Sequence, residues 1–150
     1  MLLLLAGCGP AQLMTPAGSS VGHEFVLNER PGRFIRKISF WSQPGHILMW
    51  QLVRAADEAR KGIPLTFLDY GEVPAAMEQV FPEGRPQPLR EGQTVVVGLE
   101  YSPDADVDPV VPNEATGWYR KDSGGFKEVS ELEPSGPTPG KDGDKKPKQP

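Results

Sequence analysis

Apolar residues recur along this chain mainly at every second position, the spacing of a strand with one face turned inward. The clearest run is Thr94 to Tyr101, where Val95, Val97, Leu99 and Tyr101 fall on one face and Val96, Gly98 and Glu100 on the other. It is rich in β-branched residues and predicts a strand. Ile47 to Arg54 sets Leu48, Trp50 and Leu52 against Ile47, Met49, Gln51 and Val53, which predicts a strand buried on both faces. Ile63 to Tyr70 alternates Leu65 and Phe67 against Thr66, Leu68 and Tyr70, with Pro64 near the start, where a missing donor is tolerated.

Two segments fit more than one period. Phe34, Ile35, Ile38 and Trp41 also satisfy helical spacing, but Pro31-Gly32 and Pro44-Gly45 limit Phe34 to Ser42 to strand length, and a strand is expected. Ala55 to Lys61 has helix-forming composition but stops at Gly62, so it reads as a loop or helical turn between strands. Trp118 to Lys121 and Phe126 to Val129, joined by Asp122-Ser123-Gly124-Gly125, predict a hairpin whose glycines supply positive φ. A further strand is expected at Glu24 to Leu27. The segment Glu72 to Glu91 should cross the surface irregularly, with one helical turn at Ala75 to Gln79.

About six to seven short antiparallel strands separated by turn signals predict an all-β domain, an immunoglobulin-like β-sandwich, with a small β-barrel as the alternative. Composition agrees. The 17 Gly and 17 Pro among 150 residues are well above average usage, so turns are frequent and long helices few.

The candidate domain runs over residues 21–132, a common size for one core. Residues 8–20 are poor in groups to bury and read as a flexible linker. Residues 133–150 hold five Pro, three Gly and no aromatic or large aliphatic residue, and are predicted to be disordered. That tail carries four Lys against three acids, while the rest carries twelve Lys and Arg against seventeen acids. An acidic body has the wrong sign for nucleic acid, and no nucleic-acid partner is expected.

At the N-terminus, Leu2 to Leu5 supply an apolar run, and Ala6 and Gly7 supply small residues before Cys8, the lone cysteine. Leu5-Ala6-Gly7-Cys8 resembles the lipobox of bacterial lipoproteins. The resemblance implies that residues 1–7 are a lipoprotein signal segment, that cleavage falls between Gly7 and Cys8, and that Cys8 carries a diacylglyceryl thioether. The first basic residue is Arg30, so the usual positive leader is missing, and a start assigned downstream of the true one accounts for it. Two acyl chains suffice for stable anchoring. The implied address is the cell membrane or outer membrane, facing the periplasm or exterior. With Cys8 lipidated, the mature domain has no thiol for disulfides, metal or nucleophilic attack.

The order Trp50-x-Leu52, Tyr70-Gly71-x-Val73-Pro74 and Pro88-Leu89-x-x-Gly92 is similar to one that recurs in small bacterial lipoproteins. That resemblance implies a fold and an address and no activity. The residues themselves read as structural: Trp50 as a core anchor, Tyr70 as a sheet-end residue whose hydroxyl reaches a backbone partner, and Gly71 as a turn.

Chemistry-bearing patterns are few. His23 and His46 read as solvated loop residues, and no G-x-S-x-G, P-loop or H-E-x-x-H is present. Asp104, Asp106 and Asp108 follow the opening of a calcium loop, but Pro109 stands where that loop needs glycine and Ala115 where it needs the bidentate glutamate. No catalytic residue, cofactor or resident metal is expected. The preferred function is a membrane-anchored, non-catalytic interaction module that offers an envelope protein a sheet edge or an aromatic patch such as Trp118-Tyr119. The alternatives are a small-ligand-binding protein with a pocket lined by Trp41, Trp50 and Trp118, and an enzyme built on His46 with carboxylates.

Overall fold

The computed structural model describes residues 14–18, 21–29, 34–102 and 114–130. Nine strands are present: β1 Met14–Pro16, β2 Phe25–Leu27, β3 Ile35–Ser42, β4 Ile47–Arg54, β5 Phe67–Leu68, β6 Met77–Phe81, β7 Thr94–Tyr101, β8 Glu114–Asp122 and β9 Gly125–Glu128. A single helical turn, α1, spans Glu58–Lys61 and is capped by Asp57, whose side chain accepts from Ala59 N. Strands β6-β4-β3-β7-β8-β9 form a six-stranded sheet and β1-β2-β5 a three-stranded one. Every pairing is antiparallel.

The small sheet packs on one face of the large one, making a β-sandwich. Phe25 of β2 sits at the centre, edge-on to Phe40 at 6.1 Å and Tyr119 at 5.1 Å, and stacked on Phe126 at 4.6 Å. Ile38, Phe40, Trp50, Leu52, Val95, Val97 and Leu99 complete the core from the large sheet. The barrel alternative fails: among the described residues the large sheet is open, with β6 and β9 at its two edges.

The expected bounds of Ile47–Arg54 and Thr94–Tyr101 match β4 and β7, and the 118–129 hairpin and the strand at 34–42 are also present. Four expectations need correction. First, β4 is fully buried on one face only: Trp50 and Leu52 are inaccessible, whereas Ile47 is 61% exposed. Second, the strand expected over 63–70 shrinks to Phe67–Leu68. Upstream of it, Leu65 N donates to the Glu29 carboxylate and not to a ladder, and the partner strand β2 is itself only three residues long.

Third, the helical turn expected over 75–79 gives way to β6. One turn survives where Met77 N donates to Pro74 O, and then pairing with β4 takes over. Full burial of Met77 and the Trp50 Nε1–H to Gln79 Oε1 bond at 2.7 Å outweigh local propensity. Fourth, the stretch 8–20 is not wholly linker. Met14–Pro16 pairs with β2, and Met14 is 4% exposed because its side chain closes the end of the core.

Candidate interaction surface

The inner face of the large sheet is covered, so any surface for a partner must come from its outer face, its edges or the loops. In β7, odd-numbered residues point inward and even-numbered ones outward, as the pattern predicts. Across the outer face Trp41 registers with Val96, and Val96 registers with Trp118. Directly opposed side chains lie about 5 Å apart at Cβ, so the two indoles flank Val96. Val96 is only 3% exposed, while both tryptophans are half-buried.

Gly98 holds this arrangement in place. A Cβ built on it would stand 2.8 Å from Cζ3 and 3.0 Å from Cη2 of Trp41, so the indole leans over a position where no other residue leaves room. His46 stacks on the same indole, centroids 5.0 Å apart and planes 10° from parallel. Its ring nitrogen Nδ1 lies 3.1 Å from Gln43 Nε2, and its φ of 52° is the left-handed turn geometry. His46 is thus an exposed turn residue, as expected, but one that fixes Trp41.

Beside Trp41 and Gly98 lies a notch of about 190 Å³ bordered by Lys37, Ser39, Glu100, Glu114 and Thr116. Lys37 Nζ lies 2.9 Å from Glu100 Oε2, with Arg36 at 3.9 Å from the same oxygen. Glu114 stands directly opposite Glu100 across the ladder, a like-charge pair that a further cation would relieve.

Trp118 and Tyr119 do not form one patch. Neighbouring strand residues face opposite ways, and Tyr119 is 4% exposed, buried against Phe25, with its hydroxyl donating to Met14 O at 3.3 Å. Burial, reinforced by Glu128 opposite, pushes its phenol up to about 12. The three tryptophans likewise line no common pocket, because Trp50 is in the core while Trp41 and Trp118 lie on the other side of the sheet.

Other singled-out residues take structural places. The Tyr70 hydroxyl donates to Gln87 O at 2.9 Å, and burial pushes that phenol up to about 12. Gly71 turns with φ +86°. His23 stacks on Phe67 at 4.3 Å and meets Asp69 at 2.8 Å, tying the start of β2 to the end of β5. Neither histidine gathers carboxylates into a cleft, and among the described residues no three His, Cys, Asp or Glu side chains come together as a metal site. Gly7, Cys8, Asp104, Asp106 and Asp108 lie outside the described residues.

The exposed edge strand β6 is guarded. Arg60 reaches from α1 to Ala75 O at 3.0 Å and Met77 O at 2.7 Å, and pairs with Glu78 at 3.2 Å, so the start of the edge already has its acceptors taken. The sequence points to a sheet edge in general and to Trp118-Tyr119, but not to β6 as that edge nor to the partnership of Trp118 with Trp41. The signal was Gly98, a glycine inside a run of β-branched residues, which marks a close approach by another group. No helix among the described residues is long and apolar enough to cross a membrane. No known protein family, curated protein or solved structure matches this chain.

Proposed function

We propose that this chain is an envelope lipoprotein, anchored through a lipidated Cys8, whose β-sandwich is a non-catalytic module that binds a protein partner on the outer face of its large sheet. The observation that carries the binding half is the fixed pair of half-buried indoles, Trp41 and Trp118, astride Val96 on the outer sheet face. Rigid aromatic side chains lose little conformational entropy on contact and recur as interface anchors. The partner's matching chemistry is a basic side chain: it would lie against an indole face and pair with Glu114, Glu100 being held by Lys37.

The anchoring half rests on Leu5-Ala6-Gly7-Cys8. Mass spectrometry of the N-terminal peptide from envelope-derived protein tests it, and a peptide beginning at acylated Cys8 is the expected result. For the binding half, a photo-crosslinker at the exposed outer-face residue Thr116 should capture a partner from native envelope. The same crosslinker at exposed Val73, remote from this face, should not. Equal capture at the two positions rejects the outer face.

A further inference from the structure

We propose that the pole of the sandwich where β1 begins rests on the bilayer, with Phe34 and Ile63 entering the headgroup region; this rests on the lipidated Cys8 of the preceding reading. Chain length is the first ground. Met14 is already fixed to the core, through its buried side chain and through its carbonyl, which accepts from Tyr119. Five residues separate it from Cys8, and the six Cα-to-Cα steps between them reach at most about 20 Å when fully extended. The pole therefore stays near the lipid whatever path that segment takes.

What that pole displays is the second ground. β1 runs from Met14 opposite Leu27 to Pro16 opposite Phe25, so the chain leaves toward the Leu27 end, where Glu29 follows. The Glu29 carboxylate gathers that end: it accepts from Ile35 N at 3.0 Å and Leu65 N at 3.1 Å, and pairs with the Arg54 guanidinium. Arg54 in turn donates to Ile63 O at 3.2 Å. Phe34 and Ile63 are thus held at one pole by one partly buried ion pair, and they are 51% and 38% exposed. Apolar side chains ringed by long polar ones suit the boundary between headgroups and acyl chains.

Charge gives the third ground. Arg36 at this pole shares Glu100, and Lys61 pairs with Glu58. Among the described residues these cations lie beside carboxylates, so what the described part of the pole offers unpaired is the apolar surface of Phe34 and Ile63. Ile47 provides the contrast. It is 61% exposed and equally apolar, but it sits at the far end of β3, whose eight residues put it about 25 Å from the Phe34 end.

Lipidated protein carrying Phe34→Cys, Ile63→Cys or Ile47→Cys, labelled with an environment-sensitive dye, tests this in phosphatidylethanolamine–phosphatidylglycerol vesicles with brominated acyl chains. The acylated Cys8 takes no dye. Labels at 34 and 63 should each be quenched about twofold or more, and the label at 47 should not. Two independent positions guard against one variant misfolding. Equal quenching at 47, or none at 34 and 63 in protein that floats with the vesicles and carries acylated Cys8, overturns the inference alone. An unmodified Cys8 overturns the lipoprotein reading with it.

Discussion

The two faces of the six-stranded sheet are built from the same alternating strands and use the same device to opposite ends. On each face a glycine inside a strand gives up its side chain so that an aromatic ring lies across the backbone. On the inner face this is Gly117, where an added Cβ would come 2.5 Å from the Tyr119 hydroxyl oxygen; on the outer face it is Gly98 under Trp41. Tyr119 is then sealed beneath β1 and β2, whereas Trp41 stays half open beside Trp118. The difference teaches that burial of a ring and fixation of a ring are separate achievements. The inner face turns fixation into stability, and the outer face keeps it for recognition.

Substitutions separate the two roles, and the largest effect belongs to the inner face. Trp50→Ala removes the largest fully buried side chain and orphans Gln79 Oε1, and should cost about 3–5 kcal/mol of stability, read by urea denaturation. Gly117→Ala forces Tyr119 away from Met14 and should cost about 1–3 kcal/mol by the same measurement. Alkali probes that face without mutation. Tyr70 and Tyr119 ionise at about 12 in the fold against 10.0 unfolded, so the stability they contribute is whole below pH 10.0 and fades as pH rises toward 12. A pH series of thermal melts should show that decline, and Tyr119→Phe should make it shallower.

On the outer face the order reverses. Gly98→Ala needs only the Trp41 ring edge to swing outward, an off-rotamer cost of about 1 kcal/mol, but it should weaken partner capture far more than it lowers the melting temperature. Trp118→Ala should cost less stability than Trp50→Ala, because the Trp118 side chain is only partly buried.

Period-two alternation is enough to place β4 and β7, while β3 needs the Pro-Gly pairs that limit its length and the β8–β9 hairpin needs its turn residues. Short strands were harder to read. β1 holds three residues, too few to show a period, and exists because the core accepts Met14, whereas β5 keeps only two residues of the alternation over 63–70 because its partner β2 is itself three residues long. β6 looked irregular because prolines surround it, and its pairing depends on contacts with Trp50 that no local window contains. On the outer face, Trp118 was noticed as half of Trp118-Tyr119, a neighbour in sequence that points the other way. Its spatial neighbour across Val96 depends on strand order, which hydrophobic spacing does not encode.

The most direct test compares wild type with the double variant Trp41→Ala/Trp118→Ala in two readouts, the melting temperature of the domain and the recovery of the envelope partner crosslinked at Thr116. The predicted result is a domain that still unfolds in one cooperative transition, at a lowered melting temperature, while crosslinking is lost in the folded protein. A folded variant that still captures the same partner would contradict the assignment of the outer face.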